Sequence, residues 1–221
     1  MSDKARPEID TSPLLGIIDH RTYQMLIGIA QWLVSCGRMD VNYAVTSLSR
    51  FSASPREGHL DMLLHVFGYL KKFRNKWIKF NSGKFGVEKS NVLKADFVEK
   101  YQDAVEDVEP GLPEPLGSPM QPSICTDSDH AHDVVTRRSI MGILIYVGLT
   151  PVSSVSRHQT TIAYSAYEAE FMAMRTATQE AKVIKNVLRS FGIPLDGPTL
   201  LFGDSLSTPT LAKNTWQFPT I

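Results

Sequence analysis

The stretch SAYEAEFMAMRTA, residues 165–177, decides the fold of the second half of the chain. Steps of three and four residues from Glu170 meet one apolar face, formed by Ala173, Met174, Ala177, Ala181, Ile184 and Leu188. This spacing predicts a helix over 166–191, which ends before Gly192 and Pro194. Steps from Glu168 meet increasingly polar residues, so we expect Glu170 on the side of a sheet and Glu168 on the other side.

Four short β-rich stretches surround this helix. Residues 123–128, 140–147 and 152–156 precede it, and residues 200–203 follow it. Strands spaced as closely as the first three favour antiparallel hairpins. With a short helix predicted over 206–213, the order is β-β-β-α-β-α. We therefore expect an α/β fold with a mixed sheet.

Three carboxylates occupy positions that suit a metal site. Asp127 ends the first strand, Asp204 follows the last strand, and Glu170 lies on the apolar face of the helix. An ionised carboxylate on a buried face is costly unless it is paired or bound to metal. Hard divalent cations take such oxygen ligands. The alternative is that Glu170 is a carboxylate near solvent, favoured in the first helical turns by the helix dipole.

The first half of the chain predicts a small helical segment. After a polar lead-in over 1–19, helical periodicity begins near residue 20, and a second helix is predicted over 41–51. Ser54 and Pro55 predict the start of a third helix, and residues 77–81 predict a short strand. An acidic, proline-rich linker over 96–121 separates this segment, 20–95, from a second domain over 122–221.

Composition sets further limits. Lys and Arg balance Asp and Glu at 23 each, so any nucleic-acid-binding surface must be local. The two cysteines, Cys36 and Cys125, are far apart, which argues against a disulfide framework or a zinc site. No signal peptide or membrane-spanning run is evident. We expect a soluble intracellular protein, in cytoplasm or nucleus, with no membrane partner.

Several ordered motifs resemble the ribonuclease H domain of copia-type retrotransposon polyproteins. They are TDSDHAHD at 126–133, TRRSIMG at 136–142, SRHQTTIAYSAYEAEFMA at 156–173 and GDSLS at 203–207. The resemblance implies a ribonuclease H-like fold that hydrolyses RNA in RNA/DNA hybrids with Mg²⁺ or Mn²⁺. The resemblance also implies that Asp127, Glu170 and Asp204 are the catalytic, metal-binding residues.

The first half resembles the end of the reverse transcriptase of the same polyproteins. The stretches that show this resemblance are WLVSCGRMDVNYAVTSLSRF at 32–51 and HLDMLLHVFGYLKKFR at 59–74. The resemblance implies that the remaining reverse transcriptase is a partner. No Tyr-x-Asp-Asp-like pair occurs in the chain, so we expect no polymerase activity.

The chain departs from the family pattern after Asp204. No acidic residue follows, although the family places a fourth metal-associated acid there, and Ser205 replaces the usual Asn. We therefore expect a truncated domain whose exposed sheet edge another protein covers. The competing hypothesis is an inactive, degenerate or domesticated fragment that acts as a structural or interaction subunit.

Nucleic-acid contacts are predicted at two groups of basic residues. Arg137, Arg138 and Arg157 lie near the carboxylates in the sequence motifs, whereas a basic-aromatic cluster around residues 71–80 contains Lys71, Lys72 and Arg74. The alternative for this cluster is that its aromatic residues enter a core and its lysines are only solvated. His130 and His132 are interpreted as loop histidines, and Asp129 and Asp133 as solvated loop charges.

Overall fold

The computed structural model describes residues 6–86, 108 and 110–203. The described residues of the first half contain three α-helices, α1 (Ile17–Ser35), α2 (Asn42–Ser49) and α3 (Glu57–Lys72). The second half contains β1 (Pro122–Asp129), β2 (Ile140–Val147), β3 (Thr150–His158), α4 (Ala166–Ser190) and β4 (Leu200–Gly203). The predicted α/β fold is confirmed. The helix predicted over 206–213 lies outside the described residues.

The three helices enclose one apolar core. Tyr23 of α1 is completely buried against α2 and α3, and its hydroxyl donates a hydrogen bond of 2.7 Å to the carbonyl of Leu48. The same core contains Ile27, Ala30, Val41, Val45, Leu48, Leu63, Val66 and Leu70. Because a buried hydroxyl without a partner is costly, the Leu48 carbonyl lets the tyrosine ring fill this core.

The sheet has the strand order β3-β2-β1-β4. β1 pairs with β2 and β2 with β3 in antiparallel fashion, whereas β4 lies parallel to β1. Residues of β1 and β2, namely Ile124, Met141, Ile143 and Ile145, pack against Ala173, Ala177 and Ala181 of α4. The apolar face predicted for the long helix therefore does contact the sheet.

The third helix begins later than predicted. It starts at Glu57 with Arg56 as its N-cap, so the predicted cap at Ser54 is wrong. The reason is tertiary: the Leu15 N–H donates to the Pro55 carbonyl at 3.0 Å, and Leu14 forms a β-bridge with Arg56. This pairing holds the chain extended before Glu57. His59 instead accepts a hydrogen bond from the Arg56 N–H at 3.1 Å.

The strand predicted over 77–81 is also wrong, because residues 76–86 form no helix or strand. Trp77 and Phe80 are 84% and 85% exposed, so no element within the described ranges covers them. The end of the stretch is anchored, where the Asn81 N–H donates to the Thr150 hydroxyl at 2.7 Å. An apolar run without a partner strand does not form a sheet.

The described part of the predicted linker is irregular. Residues 110–119 contain no helix or strand, and Gly111 and Gly117 adopt positive φ angles. The chain then runs beside the end of α4, where the Leu116 N–H donates to the Gly192 carbonyl at 2.8 Å. Most of 96–109 lies outside the described residues. Among the residues that the structure describes, no helix is both long and apolar enough to cross a membrane.

Candidate metal and nucleic-acid site

The fold brings Asp127, Glu170 and Gly203, the residue before Asp204, to one corner of the sheet. Thr126, which precedes Asp127, pairs with Gly203, which precedes Asp204. The Met174 methyl group lies 3.5 Å from the position of a Cβ on Gly203. Because Met174 follows Glu170 by one helical turn, Glu170 belongs to the end of α4 at this corner. Asp204 itself lies outside the described residues.

Asp127 is exposed near the end of β1. Its Oδ1 accepts a hydrogen bond of 2.7 Å from the Ser128 N–H. Side chains alternate along a strand, so Asp127 lies on the face opposite to Ile124, which packs against α4. A cation shared by Asp127 and the half-buried Glu170 therefore has to lie beyond the strand end, where the two faces of the sheet meet.

Glu168 has a local structural role. Its Oε2 accepts a hydrogen bond from the Tyr164 N–H at 2.8 Å, and its own N–H donates to the Ser165 hydroxyl at 3.1 Å. These two bonds form a reciprocal cap at the start of α4. Glu168 is thus used for holding the helix start, and it offers a matched control for Glu170.

Within the described ranges, no group of three or more His, Cys, Asp or Glu residues is arranged to hold a metal ion. Two carboxylates, Asp127 and Glu170, lie in elements that converge on the corner. The third predicted ligand, Asp204, directly follows a described residue of the same corner. The oxygen donors have the chemistry that Mg²⁺ and Mn²⁺ prefer.

The two histidines after β1 have protein partners. His130 Nε2 lies 3.1 Å from the Ala163 carbonyl oxygen. His132 lies between Asp129 and Tyr43, with its Nδ1 at 2.5 Å from the Asp129 carboxylate and its Nε2 at 2.8 Å from the Tyr43 hydroxyl. These contacts agree with the interpretation of both residues as loop histidines.

The prediction that Asp133 is a solvated loop charge is wrong. Its side chain is 1% exposed and forms an ion pair of 2.6 Å with Arg50, which follows α2. Its Oδ1 also accepts hydrogen bonds from the Val135 and Thr136 N–H groups at 3.0 and 2.9 Å. Burial alone raises the pKa of Asp133, but the bonds from Thr136, Arg50 and Val135 outweigh burial and hold it well below its usual range.

Asp133 organises the loop that carries two of the predicted nucleic-acid contacts. Its carbonyl accepts from the Arg137 N–H at 2.7 Å, and its N–H donates to the Arg138 carbonyl at 3.2 Å. Arg137 adopts a φ of 58°, a conformation that non-glycine residues rarely take. Both arginine side chains are exposed. The loop therefore presents two cations on a backbone held by one buried carboxylate.

Residues of the helical segment extend this network to the sheet. The Arg50 guanidinium also lies 2.8 Å from His158 Nε2, and Asn42 Nδ2 donates to the Ser154 carbonyl at 3.0 Å. Burial, reinforced by the Arg50 charge, lowers the pKa of His158. Sequence reasoning missed these contacts because Arg50 and Asp133 are 83 residues apart and no local spacing joins them.

The remaining predicted nucleic-acid contacts are exposed. Arg157 lies near the end of β3, whereas Lys71 and Lys72 end α3 and Arg74 follows it. Lys72 lies over the ring of Phe73 at 5.6 Å. Trp77 and Phe80 are also exposed. The alternative, that the aromatic residues of this cluster enter a core, is therefore wrong for these two rings.

Stability should depend on pH through Asp133. Its folded pKa lies below the unfolded value of about 3.9, so the stabilisation is complete above that value and is lost as pH falls through it toward the folded pKa. We expect the free energy of unfolding, measured in urea, to fall between about pH 5 and pH 2. Asp133→Asn should flatten this dependence, whereas Asp129→Asn should keep it. Equal slopes in all three proteins would contradict the assignment.

The chain is similar to curated retrotransposon proteins. Retrovirus-related Pol polyprotein from transposon RE1 of Arabidopsis thaliana is 27% identical over 198 residues, which cover 90% of this chain and 11% of that protein. Retrovirus-related Pol polyprotein from transposon TNT 1-94 of Nicotiana tabacum is 23% identical over 87% of this chain and 12% of its own length. The chain thus spans only about a tenth of these polyproteins.

A shorter relative is covered almost completely. Secreted RxLR effector protein 161 of Plasmopara viticola is 30% identical over 159 residues, which cover 72% of this chain and 88% of that protein. No protein-family model and no solved structure matches the chain. The chain therefore belongs to one family with Secreted RxLR effector protein 161, and its homologues include retrovirus-related Pol polyproteins of copia-like plant transposons.

Proposed function

We propose that the second half of this chain is a ribonuclease H-type hydrolase that cuts RNA in RNA/DNA hybrids as part of a retrotransposon polyprotein. The observation that carries the proposal is the shared corner of the sheet. Asp127, Glu170 and the residue before Asp204 reach this corner from two strands and a helix. The similarity to Pol polyproteins over most of the chain supports the same proposal.

Asp127, Glu170 and Asp204 would hold one or two Mg²⁺ or Mn²⁺ ions. Bound divalent ions supply Lewis-acid stabilisation of phosphate oxygens and lower the pKa of water. Because Asp127 and Glu170 lie on opposite faces of the sheet, they can approach a scissile phosphate from two sides at the strand end. Glu170 is half-buried in α4, so the helix fixes its position, and its carboxylate can orient the attacking water.

The hybrid would be held by exposed arginines around this corner. Arg137 and Arg138 project from the Asp133 loop, and Arg157 lies near the end of β3, which β2 separates from β1. Arginine suits this purpose because its planar guanidinium binds two phosphate oxygens at once. Lys71, Lys72 and Arg74 offer a second set of phosphate contacts, from the helical segment. The remaining reverse transcriptase of a polyprotein is the proposed protein partner.

The direct test is cleavage of a labelled RNA/DNA hybrid by the purified chain with Mg²⁺ or Mn²⁺. We expect cuts in the RNA strand, none in an RNA duplex, and none in the presence of a chelator. A chain that binds the hybrid without cutting it would contradict the proposed activity.

Metal binding should be measurable even without substrate. Millimolar Mg²⁺ or Mn²⁺ should stabilise the chain by about 1 kcal/mol, which raises the melting temperature by roughly 2–4 °C for a protein of this size. Asp127→Asn should remove most of this shift and leave the metal-free melting temperature nearly unchanged, because Asp127 is exposed. The control is Asp129→Asn, also exposed, which should keep the shift. No shift in the wild type would argue for a defunct site.

A second function has one specific observation in its favour. Secreted RxLR effector protein 161 is covered by this chain over 88% of its length, so most of this fold also occurs as nearly the whole of another protein. An inactive fragment that acts as an interaction subunit is therefore the alternative. If the wild-type chain shows neither a metal-induced rise in melting temperature nor hybrid cleavage, the interaction subunit is favoured.

A further inference from the structure

A groove of about 270 Å³ lies between α4 and the end of β3. Its apolar lining residues are Met141 of β2 and Met172 of α4. Arg157 stands on its β3 side and Arg175 on its α4 side. Its volume is close to the lower limit for pockets that hold small organic ligands, roughly 300 Å³. The groove therefore has room for one small molecule or one unit of a polymer.

The groove is cationic, and none of its described lining residues is acidic. Arg157 and Arg175 are both exposed, and neither guanidinium has a hydrogen-bond or ion-pair partner in the part of the chain that the structure describes. A surface arginine that lies beside a carboxylate usually forms an ion pair with it. Two unpaired guanidiniums on facing elements favour an anionic ligand that offers pairs of oxygen acceptors, of which phosphate is the common case.

The arginines favour an anionic group on the ligand, whereas Gln159 favours a hydrogen-bond donor. Its side chain lines the groove although the residue is only 1% exposed. The Nε2 donates to the Ala169 carbonyl at 2.7 Å, and because a carbonyl only accepts, the amide orientation is fixed. Among the residues that the structure describes, none is a hydrogen-bond partner of the buried Oε1. A ligand that satisfies it must present an N–H or O–H donor.

The groove is separate from the carboxylate corner. Met172, Thr176 and Gln179, which line it, lie roughly half a turn around the helix axis from Glu170. Glu170 belongs instead to the flank of α4 that carries Met174 against Gly203 of β4. The two sites therefore occupy opposite flanks of one helix, and of the basic residues assigned to the hybrid only Arg157 also lines the groove.

We propose that this groove binds a nucleotide. Arg157 and Arg175 contact its phosphate, the base lies against the thioethers of Met141 and Met172, and an exocyclic amino group of the base donates to Gln159 Oε1. Adenine and cytosine carry such an amino group, whereas hypoxanthine and uracil present an oxygen there. The nucleotide comes either free from solution or as one residue of a single strand, and the chemistry of recognition is the same.

The test is titration calorimetry of the full chain with 5′-AMP, 5′-IMP, adenosine and inorganic phosphate. We expect 5′-AMP to bind at least about tenfold more tightly than either adenosine or phosphate, since each supplies only one of the two contacts. We expect 5′-IMP to bind about tenfold more weakly than 5′-AMP, because its oxygen faces the Gln159 oxygen. Equal affinity for 5′-AMP and inorganic phosphate, or for 5′-AMP and 5′-IMP, would overturn the proposal.

Variants place the binding in the groove. Arg157→Ala and Arg175→Ala should each weaken 5′-AMP binding about tenfold, whereas Lys182→Ala, which removes an exposed cation of α4 outside the groove, should not change it. A loss with Lys182→Ala equal to that with Arg175→Ala would show unspecific attraction and overturn the proposal. Glu170→Gln should leave 5′-AMP binding unchanged, so a failure of the ribonuclease assignment is distinguishable from a failure here.

A hexamer of adenylate distinguishes the two sources of the nucleotide. Tighter binding of the hexamer than of 5′-AMP, lost in Arg175→Ala, would assign the groove to a strand. Binding of 5′-AMP alone would assign it to a free nucleotide. Binding of neither would overturn the proposal.

Discussion

Asp133→Ala is expected to lower the free energy of unfolding by about 3 kcal/mol, the loss typical of breaking a buried ion pair by removal of one partner. The carboxylate is 1% exposed and holds Arg50 at 2.6 Å and two backbone N–H groups of its own loop. The substitution leaves these donors without an acceptor beneath a closed loop. Urea unfolding monitored by circular dichroism measures the loss.

The matched control is Asp129→Ala. Asp129 has a histidine partner at 2.5 Å, but its side chain is 66% exposed, so its removal should cost less than about 1 kcal/mol. Arg50→Ala combined with Asp133→Ala completes a double-mutant cycle, in which a coupling energy of at least about 1 kcal/mol is expected. Equal losses for Asp129→Ala and Asp133→Ala would show that the Asp133 loop contributes no special stability.

Glu170→Gln is expected to slow hybrid cleavage at least about 100-fold, equivalent to about 2.7 kcal/mol in the activation free energy. The glutamine side chain has nearly the same shape as glutamate but lacks the negative charge that a divalent cation requires. The single-turnover rate with Mg²⁺ measures the change, so product release does not hide it. Binding of the hybrid, carried by the arginines, should change far less.

Glu168→Gln is the matched control, because it is the same substitution two residues away in the same helix. The amide oxygen of glutamine can still accept the hydrogen bond from the Tyr164 N–H, so the helix start is preserved. We expect a rate within about threefold of the wild type. A larger loss for Glu168→Gln than for Glu170→Gln would exchange the roles of the two glutamates and refute the assignment from helical periodicity.

The sequence predicted those elements whose stability is encoded locally. The apolar spacing around Ala173 and Ala177 is a property of one helix, and the structure buries both residues completely against the sheet. The three strands before α4 differ from their predicted limits by no more than two residues at either end. Hairpin strands closed by a short turn, as at Gly148 with its φ of 62°, need no information from distant residues.

Predictions failed where a distant residue decides the outcome. The burial of Asp133 depends on Arg50, and the late start of α3 depends on the pairing of residues 14 and 15 with 55 and 56. In neither case does the local sequence indicate which distant residue is the partner. Gln159 is a further instance, since its buried side chain bonds to the Ala169 carbonyl of α4. The location of Asp127, Glu170 and Gly203 at one corner follows from topology, which the strand order predicts without side-chain detail.

The contact between Asn42 and Ser154 has a consequence for aggregation. β3 is the outermost strand on its side of the sheet, and α2 lies against it, with Asn42 bonded to one of its outward carbonyls. An uncovered outer strand is a template on which a strand of another molecule adds, and repeated addition produces insoluble fibrils. The helical segment thus acts as a shield for the sheet. A fragment cut before β1 would lose that shield and would gain a surface prone to self-association.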